Sequence, residues 1–209
     1  IAITPIIPSA DGRGKLLLDA GANLELKPFH LEQFAIAASI IVRDVLKWDL
    51  KPKVGLLNIG TEPGKGRELE KETYKILSEN ENINFVGNIE PKDCMIGDAD
   101  IILSDGFSAN ILMKGMEGTA KGVSKIIKRS IGKNIFHLLG AFLLKGTFKT
   151  LKETLDPSTI GGAIILGVRK TAIKAQGASN YKAVSNAIRQ AKNLVEGKVI
   201  EKVKEELKL

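Results

Sequence analysis

Four short stretches of this 209-residue chain combine glycine with charged or amide side chains, as binding loops do. One runs from Gly60 to Gly66, where glycine lets backbone N–H groups approach an anion and Lys65 adds a positive charge. Its spacing matches neither the Walker A loop nor the dinucleotide fingerprint. The stretch predicts a site for a phosphate-like group, with Thr61 inside it, and a plain solvated turn is the alternative.

The other three stretches carry polar side chains that could orient a reactive group. Asp105 and Gly106 lead into a helix, so Asp105 either caps that helix or takes part in chemistry, whereas Asn110 lies one turn too far along to cap it. The remaining two stretches contain Asp19, Asn23 and Lys27 in one, and Gly87 and Asn88 in the other.

Elements that alternate along the chain must position these stretches. Each stretch follows an apolar run typical of a buried strand, and amphipathic helices lie between the runs. We predict strands at 15–18, 54–58, 84–86 and 99–104. The predicted helices are 29–48, a second that follows the glycine loop and ends at about 77, and 108–129. This order predicts an α/β fold with a mostly parallel sheet between two helical layers. Ligands bind such sheets at the carboxyl ends of the strands, so the stretches should meet in one crevice.

The C-terminal third completes a single predicted domain spanning residues 1–209. A strand is expected in 161–168 with a hairpin partner in 171–175, and a last helix should begin near Ser179 or Asn180 and run to the end of the chain. Residues 133–155 form an amphipathic helical segment inside this domain.

Composition narrows the possible partners. The formal charge of +7 favours acidic partners, but the three Trp and Tyr residues are scattered and no binding motif is present, so we expect no nucleic acid. One cysteine allows no internal disulfide and indicates a reducing compartment, for which cytoplasm is the first expectation. No metal and no cofactor are expected, and no run of apolar residues is long enough to span a membrane. The chain starts without Met, which suggests a fragment or a processed product.

Several motifs, in order, resemble the PlsX family of phosphate acyltransferases. The motifs are 18–23 with Lys27 and Pro28, 55–60 with Lys65 and Gly66, 83–90, 97–100, 105–107 with Asn110, 117–120, 161–163, 166–168 and 173–175. The resemblance implies a fold related to isocitrate and isopropylmalate dehydrogenases and to phosphotransacetylases. It also implies a homodimer that transfers a fatty acyl group from acyl carrier protein to inorganic phosphate, for phospholipid synthesis.

The chain departs from the family pattern in two places. The family's N-terminal βα units have no counterpart here, and Gln176 stands where the family usually has His, which puts proton transfer at that position in doubt. His30 and His137 are expected to be structural.

For the reaction we predict direct attack of phosphate on the thioester. The site would accelerate this step mainly by positioning the two reactants and neutralising their charge. The residues expected to be catalytic are Lys27, Lys65, Asp105 and Asn110. The residues expected to bind substrate are Asp19, Asn23, Asn58, Gly60, Thr61, Gly66, Asn88 and Gly106. In this hypothesis the lysines hold phosphate, the asparagines orient the thioester, and Asp19 and Asp105 orient the lysines. An acyl-enzyme on Cys94 is the alternative.

The amphipathic segment carries more apolar surface than one core seam needs, and lysines flank it. Helix pairing in the core or across a dimer would explain it. The PlsX resemblance instead favours peripheral attachment to an anionic membrane surface, with Leu138, Leu139, Phe142 and Leu143 in contact with lipid.

Three other functions remain open. A phosphotransacetylase-like enzyme would use short acyl-CoA and share the reaction type. A nicotinamide-dependent dehydrogenase of a related fold would need a dinucleotide fingerprint, which is absent. A non-catalytic fragment that binds lipid or acyl carrier protein belongs to a different class altogether.

Overall fold

The computed structural model describes residues 1–155, 161–175 and 181–208, and its main element is a five-stranded sheet. The strands in chain order are β1 Ala2–Thr4, β2 Ile6–Ile7, β3 Lys15–Leu18, β4 Lys53–Leu57, β5 Asn84–Ile89 and β6 Ile101–Leu103. All of these strands except β1 form the five-stranded sheet, in the order β2-β3-β6-β4-β5. Strands β3, β6, β4 and β5 are parallel, and β2 is antiparallel to β3. The predicted α/β class and mostly parallel sheet are therefore confirmed.

The helices lie between and after these strands. Their bounds are α1 Pro28–Ile40, α2 Glu68–Glu79, α3 Gly106–Ile131, α4 Ile135–Leu143, α5 Lys145–Leu155, α6 Tyr181–Glu196 and α7 Val199–Glu206. A π-helical segment, Ile41–Leu46, extends α1, and a 3₁₀ turn, Pro91–Asp93, follows β5. The predicted last helix is two helices, because Lys198 adopts a left-handed φ of 51° between them. Its expected start at Ser179 or Asn180 lies outside the described residues.

A second, antiparallel sheet joins strand β1 near the N-terminus to two strands of the C-terminal third. Strands β7 Ala163–Leu166 and β8 Ala172–Lys174 form the predicted hairpin, and β1 pairs with β7 so that Ala2 lies opposite Leu166. Neither β1 nor this pairing was predicted from the sequence pattern.

Helices pack on both faces of the five-stranded sheet because its central strands are apolar on both sides. Leu16, Leu18 and Leu103 belong to the larger core, together with Leu31 and other residues of α1. Their strand neighbours Leu17 and Ile102 point to the opposite face and pack with Ala109 of α3. Among the described residues, no helix has both the length and the apolar character needed to cross a bilayer.

Candidate functional site

The turns after β3 and β6 are in direct contact at the carboxyl edge of the sheet. The Gly106 N–H donates to the carbonyl oxygen of Asn23 at 3.0 Å. A Cβ on Gly106 would lie 2.3 Å from that oxygen and 2.9 Å from Oδ2 of Asp19, so no larger residue fits there. A Cβ on Gly21 would likewise lie 3.3 Å from Nδ2 of Asn110. These contacts bring Asp19, Asn23, Gly106 and Asn110 together at this edge of the sheet.

Asp19 holds its own turn in shape. Its carboxylate is fully buried and accepts hydrogen bonds from the backbone N–H groups of Ile3, Ala22 and Asn23 at 2.7–3.1 Å. The side-chain amide of Asn23 adds a further bond at 2.9 Å. Since the donors found for Asp19 are amides, the structure gives it a role in shaping the turn, and the predicted contact with a lysine is not formed.

Two buried asparagines hold the loop from Gly60 to Gly66 in place through hydrogen bonds to its backbone carbonyls. Nδ2 of Asn58 donates to the carbonyl of Lys65 at 3.0 Å, and Nδ2 of Asn88 donates to the carbonyl of Glu62 at 2.8 Å. Gly66 has a φ of 88°, and a Cβ there would lie 2.7 Å from Oδ1 of Asn58. The loop is therefore a shaped structure whose anchors are the two asparagines, and Oδ1 of Asn88 is a buried acceptor without a partner among the described residues.

Asp105 and Arg67 join the starts of two helices. The carboxylate of Asp105 caps α3 by accepting from the N–H groups of Phe107 and Ser108 at 3.0 and 2.9 Å. The guanidinium of Arg67, which precedes α2, donates from Nη2 to Oδ2 of Asp105 and also bonds the carboxylate of Glu70. Asp105 thus caps α3, which was one of its two predicted roles, and its cationic partner is Arg67 and not one of the predicted lysines.

Hydrogen bonding decides the ionisation of Asp105. Burial by itself would raise its pKa, but bonds from Ser108 and Arg67 outweigh burial and hold the pKa below the usual value. The same pairings raise the pKa of Arg67, first through Glu70 and then through Asp105. One guanidinium between two carboxylates leaves a net negative charge, so an anion at this point would need further positive charge nearby.

The two predicted lysines lie in the turns after β3 and β4. Lys65 is half exposed, and its Nζ lies 3.9 Å from Oε1 of Glu62. Lys27 is exposed at the start of α1, where its backbone N–H donates to Nδ1 of His30 at 3.1 Å. Thr61 is exposed beside Gly60 on the loop surface. Among the described contacts, nothing joins the side chains of Lys27 and Lys65, so the structure does not bring these two predicted residues together.

A cavity of about 1670 Å³ opens beside the turns. At the turns it is lined by Asn58, Gly66, Arg67, Ser108 and Asn110, and charged side chains elsewhere on its lining are Glu70, Lys92, Lys114, Glu117 and Lys174. Three of these were predicted site residues, whereas Lys27, Lys65 and Asp105 are not among the described lining residues. Its larger part is apolar and lies between α3 and the segment that holds β1 and β2.

Cys94 is a poor nucleophile in this setting. The thiol is fully buried, its Sγ lies 3.6 Å from the carbonyl oxygen of Glu90, and burial raises its pKa to about 11. A thiol with such a pKa is almost entirely protonated near neutral pH. Within residues 1–155, 161–175 and 181–208, no cluster of three or more His, Cys, Asp or Glu side chains could hold a metal ion.

Sequence reasoning missed Arg67, Glu70 and Ser108. Arg67 directly follows the glycine loop, and Glu70 stands at the third helical position, where a carboxylate commonly bonds back to the residue before the helix. That local signal could have found the pair. Gln176, where the family usually has His, lies outside the described residues.

The amphipathic segment projects its apolar residues outward. Leu138 and Leu139 are 55% and 59% exposed, and Phe142 and Leu143 are 71% and 76% exposed. The side chain of Asn134 caps α4 by accepting a hydrogen bond from the His137 N–H at 2.8 Å. None of the residues of α4 is buried.

The fold and these turns define an α/β protein with a candidate site at the carboxyl edge of a mostly parallel sheet. Residues 1–202 match the model of the family described as "Fatty acid synthesis protein". The chain belongs to this family, and the resemblance to PlsX is confirmed.

Curated relatives agree with the family match. The chain is 49% identical over its whole length to a protein named phosphate acyltransferase from Acholeplasma laidlawii, and 43% identical to one of the same name from Thermoanaerobacterium thermosaccharolyticum. A third, from onion yellows phytoplasma, is 47% identical over 97% of the chain. The chain spans 62% of the length of the first two relatives and 56% of the third.

Proposed function

We propose that this chain carries the larger part of a phosphate acyltransferase, which transfers a fatty acyl group from acyl carrier protein to inorganic phosphate. The acyl phosphate would serve phospholipid synthesis. The observation that carries the proposal is the meeting of polar turns beside a large apolar cavity, in a chain of the fatty acid synthesis protein family. A polar end for phosphate and thioester, next to an apolar wall, is what this reaction needs.

The proposed step is direct. A phosphate oxygen forms a bond to the acyl carbonyl carbon, the carbon–sulfur bond breaks, and the thiol of the carrier leaves with the proton that phosphate loses. The raised pKa of Cys94 supports this over an acyl-enzyme, because a protonated buried thiol is a weak nucleophile. Positioning and charge then supply most of the rate enhancement.

In this proposal phosphate lies between the glycine loop and the start of α3. Lys65, Lys27 and the backbone N–H groups near Gly60 would neutralise it, and Arg67 is added to the predicted set. Gly106 would support the site indirectly, because its N–H already donates to the carbonyl oxygen of Asn23. The described hydrogen bonds of the Arg67 side chain use Nε and Nη2, which leaves Nη1 for a ligand oxygen. Asn110 would orient the thioester, since it lines the cavity one turn into α3.

Other parts of the proposal concern assembly. We infer a single domain of the isocitrate dehydrogenase-like type, a homodimer, a cytoplasmic location and peripheral attachment to anionic membranes. The exposed apolar face of α4, with Lys133 before it and Lys145 after it, supports the attachment.

The test is formation of acyl phosphate by the purified protein, trapped as a hydroxamate. With palmitoyl-acyl carrier protein and phosphate, product should form in proportion to both substrates. Product from acetyl-CoA but not from the carrier thioester would instead select a phosphotransacetylase-like enzyme. Product from neither, with carrier protein still bound, would select the non-catalytic alternative.

A further inference from the structure

One edge of the cavity is formed by the antiparallel sheet of β1, β7 and β8. Ile3, Ala163 and Lys174 belong to the lining of the cavity. Ala163 lies directly opposite Lys174 in the register of β7 and β8, and residues that lie opposite each other share a face of the sheet. The neighbouring Ile164 and Ile173 alternate to the other face, where they pack in the larger core. The side chain of Lys174 is therefore on the face of this sheet that borders the cavity.

The backbone around Lys174 is held in place. A Cβ on Gly162 would lie 2.4 Å from Cγ2 of Ile173 and 2.8 Å from the carbonyl oxygen of Lys174, so β8 packs directly against this glycine. At the other edge of the sheet, the N–H of Ile3 donates to Oδ1 of Asp19 at 2.9 Å. The sheet that carries Lys174 is therefore attached to the turn after β3, which belongs to the candidate site.

Lys174 differs from the other cations of the cavity in its ion pairing. The cationic side chains of the lining are Arg67, Lys92, Lys114 and Lys174. The first three form ion pairs, which are Arg67 with Glu70 and Asp105, Lys92 with Glu90, and Lys114 with Glu117. Lys174 is exposed and forms no ion pair with any residue that the structure describes. Its positive charge is therefore available to a ligand.

An anion in this cavity needs such a charge. Arg67 lies between the carboxylates of Glu70 and Asp105, which leaves that point with a net negative charge. The lining residues at 161–163 and 174–175 include no carboxylate, so Lys174 makes this edge of the cavity positive. A lysine ammonium binds phosphoryl oxygens as a compact charge with three hydrogen-bond donors.

We propose that Lys174 binds a phosphoryl group of a substrate at this edge of the cavity. The inference rests on the proposed function, which supplies two sources of that group. One is inorganic phosphate, and the other is the phosphodiester through which the thioester arm of acyl carrier protein is attached. Both are anions at neutral pH, and either loses hydration on entering the cavity, a cost that an unpaired cation offsets.

The experiment measures binding to the 209-residue chain by calorimetry, which needs no turnover. The probes are inorganic phosphate, octanoyl-phosphopantetheine and octanoyl-pantetheine, and the last two differ only in the phosphate group. Lys174→Ala should weaken binding of the probe whose phosphoryl group Lys174 holds by about tenfold, the usual effect of losing a hydrogen bond to a charged group. Lys174→Arg should keep most of the affinity because it keeps the charge. The affinity for octanoyl-pantetheine should not change in either variant.

Lys170→Ala is the matched control, because Lys170 is exposed on the same hairpin and is not among the described lining residues. It should leave the affinity for all three probes unchanged. Thermal unfolding of both alanine variants should match that of the parent, since neither lysine is buried. Equal losses of affinity in Lys170→Ala and Lys174→Ala would show only a general attraction of anions to a basic surface, and would overturn the assignment.

The probes also identify the source of the phosphoryl group. Weaker binding of inorganic phosphate to Lys174→Ala would support the inference and identify phosphate. Weaker binding of octanoyl-phosphopantetheine would support it and identify the carrier arm. Unchanged affinity for both, or no binding of either to the parent, would overturn the inference, as expected if a carboxylate from a second copy of the chain pairs with Lys174. Weaker binding of octanoyl-pantetheine would also overturn it, because the lysine would then only shape the cavity.

Failure of this inference and failure of the proposed function give different results. Binding that depends on Lys174, without acyl phosphate formation, would contradict the proposed function and keep the phosphoryl site. Acyl phosphate formation by Lys174→Ala with unchanged KM values for phosphate and for acyl carrier protein would do the reverse.

Discussion

Arg67 and Asp105 are hydrogen-bonded to each other although they are 38 positions apart in the sequence. Arg67 immediately precedes α2, and Asp105 immediately precedes α3. The pair therefore fixes the turns after two neighbouring strands, β4 and β6, relative to each other.

Replacing Asp105 by Asn should destabilise the protein in a pH-dependent way. Asn can still cap α3, so the loss is chiefly that of the charged bond to Arg67, about 1 kcal/mol at pH 7 for an exposed guanidinium. The pKa of Asp105 is lowered in the folded state, so its contribution is full above the unfolded value of 3.8 and is lost as pH falls through the lower folded value. Urea unfolding between pH 7 and pH 3 measures this. A difference from the parent that stays constant over that range would contradict the assignment.

Gly106→Ala should destabilise the protein because the turns after β3 and β6 touch there. The added Cβ would meet the Asn23 carbonyl at 2.3 Å, and we expect a loss of about 1–3 kcal/mol in the free energy of unfolding. Gly118→Ala is the control on the same helix, where a Cβ meets nothing within 4 Å, and it should stabilise by up to about 1 kcal/mol. Equal stabilities of the two variants would show that the turns are further apart than described.

Cys94→Ala should keep the acyltransferase turnover within about twofold, because a thiol with a pKa of about 11 is not the nucleophile. In the folded protein, alkylation by iodoacetamide should be slow at pH 7.5 and should rise as pH approaches 11, whereas the urea-unfolded chain should react at neutral pH. Loss of turnover in a folded Cys94→Ala protein would restore the acyl-enzyme alternative.

Membrane attachment through α4 should be sensitive to charge on its exposed apolar face. The double change Leu139→Glu and Phe142→Glu should abolish flotation with vesicles that contain anionic lipid, since a carboxylate cannot enter the interface at low energy. Leu50→Glu is the control, because Leu50 is 82% exposed and lies far from α4 in the sequence. Flotation of the double variant at the level of the parent would rule out contact through Leu139 and Phe142.

Much of the fold followed from local pattern. The apolar run from Lys15 to Leu18 and the three- and four-residue spacing of α1 identify a buried strand and its covering helix, with bounds close to those observed. Strands β1 and β2 were not predicted, because Pro5 and Pro8 interrupt their short apolar runs and make the segment look like a loop. Their pairing with β3 and β7 depends on segments distant in the sequence, which no local pattern reveals.

Some residues of the candidate site could be predicted from local pattern, and others could not. Gly66, Asn58 and Asn110 were predictable because glycine and amides cluster at strand ends. The pairing of Arg67 with Glu70 also had a local signal, but the pairing of Arg67 with Asp105 did not, because the two residues are 38 positions apart and meet only across the sheet edge. Met113 and Met116 also fit an ordinary amphipathic helix, and only the tertiary structure shows that they line a cavity.

The central claim is that separate turns form one pocket for a small anion, and phosphate titration followed by ¹H–¹⁵N NMR tests it most directly. Saturable shifts with a single dissociation constant are predicted for the amides of Gly60, Gly66, Gly106 and Asn110, and Lys65→Ala should weaken that constant while Lys71→Ala, an exposed lysine on α2, should not. Shifts confined to one turn, or different constants for the turns after β4 and β6, would contradict a shared phosphate pocket.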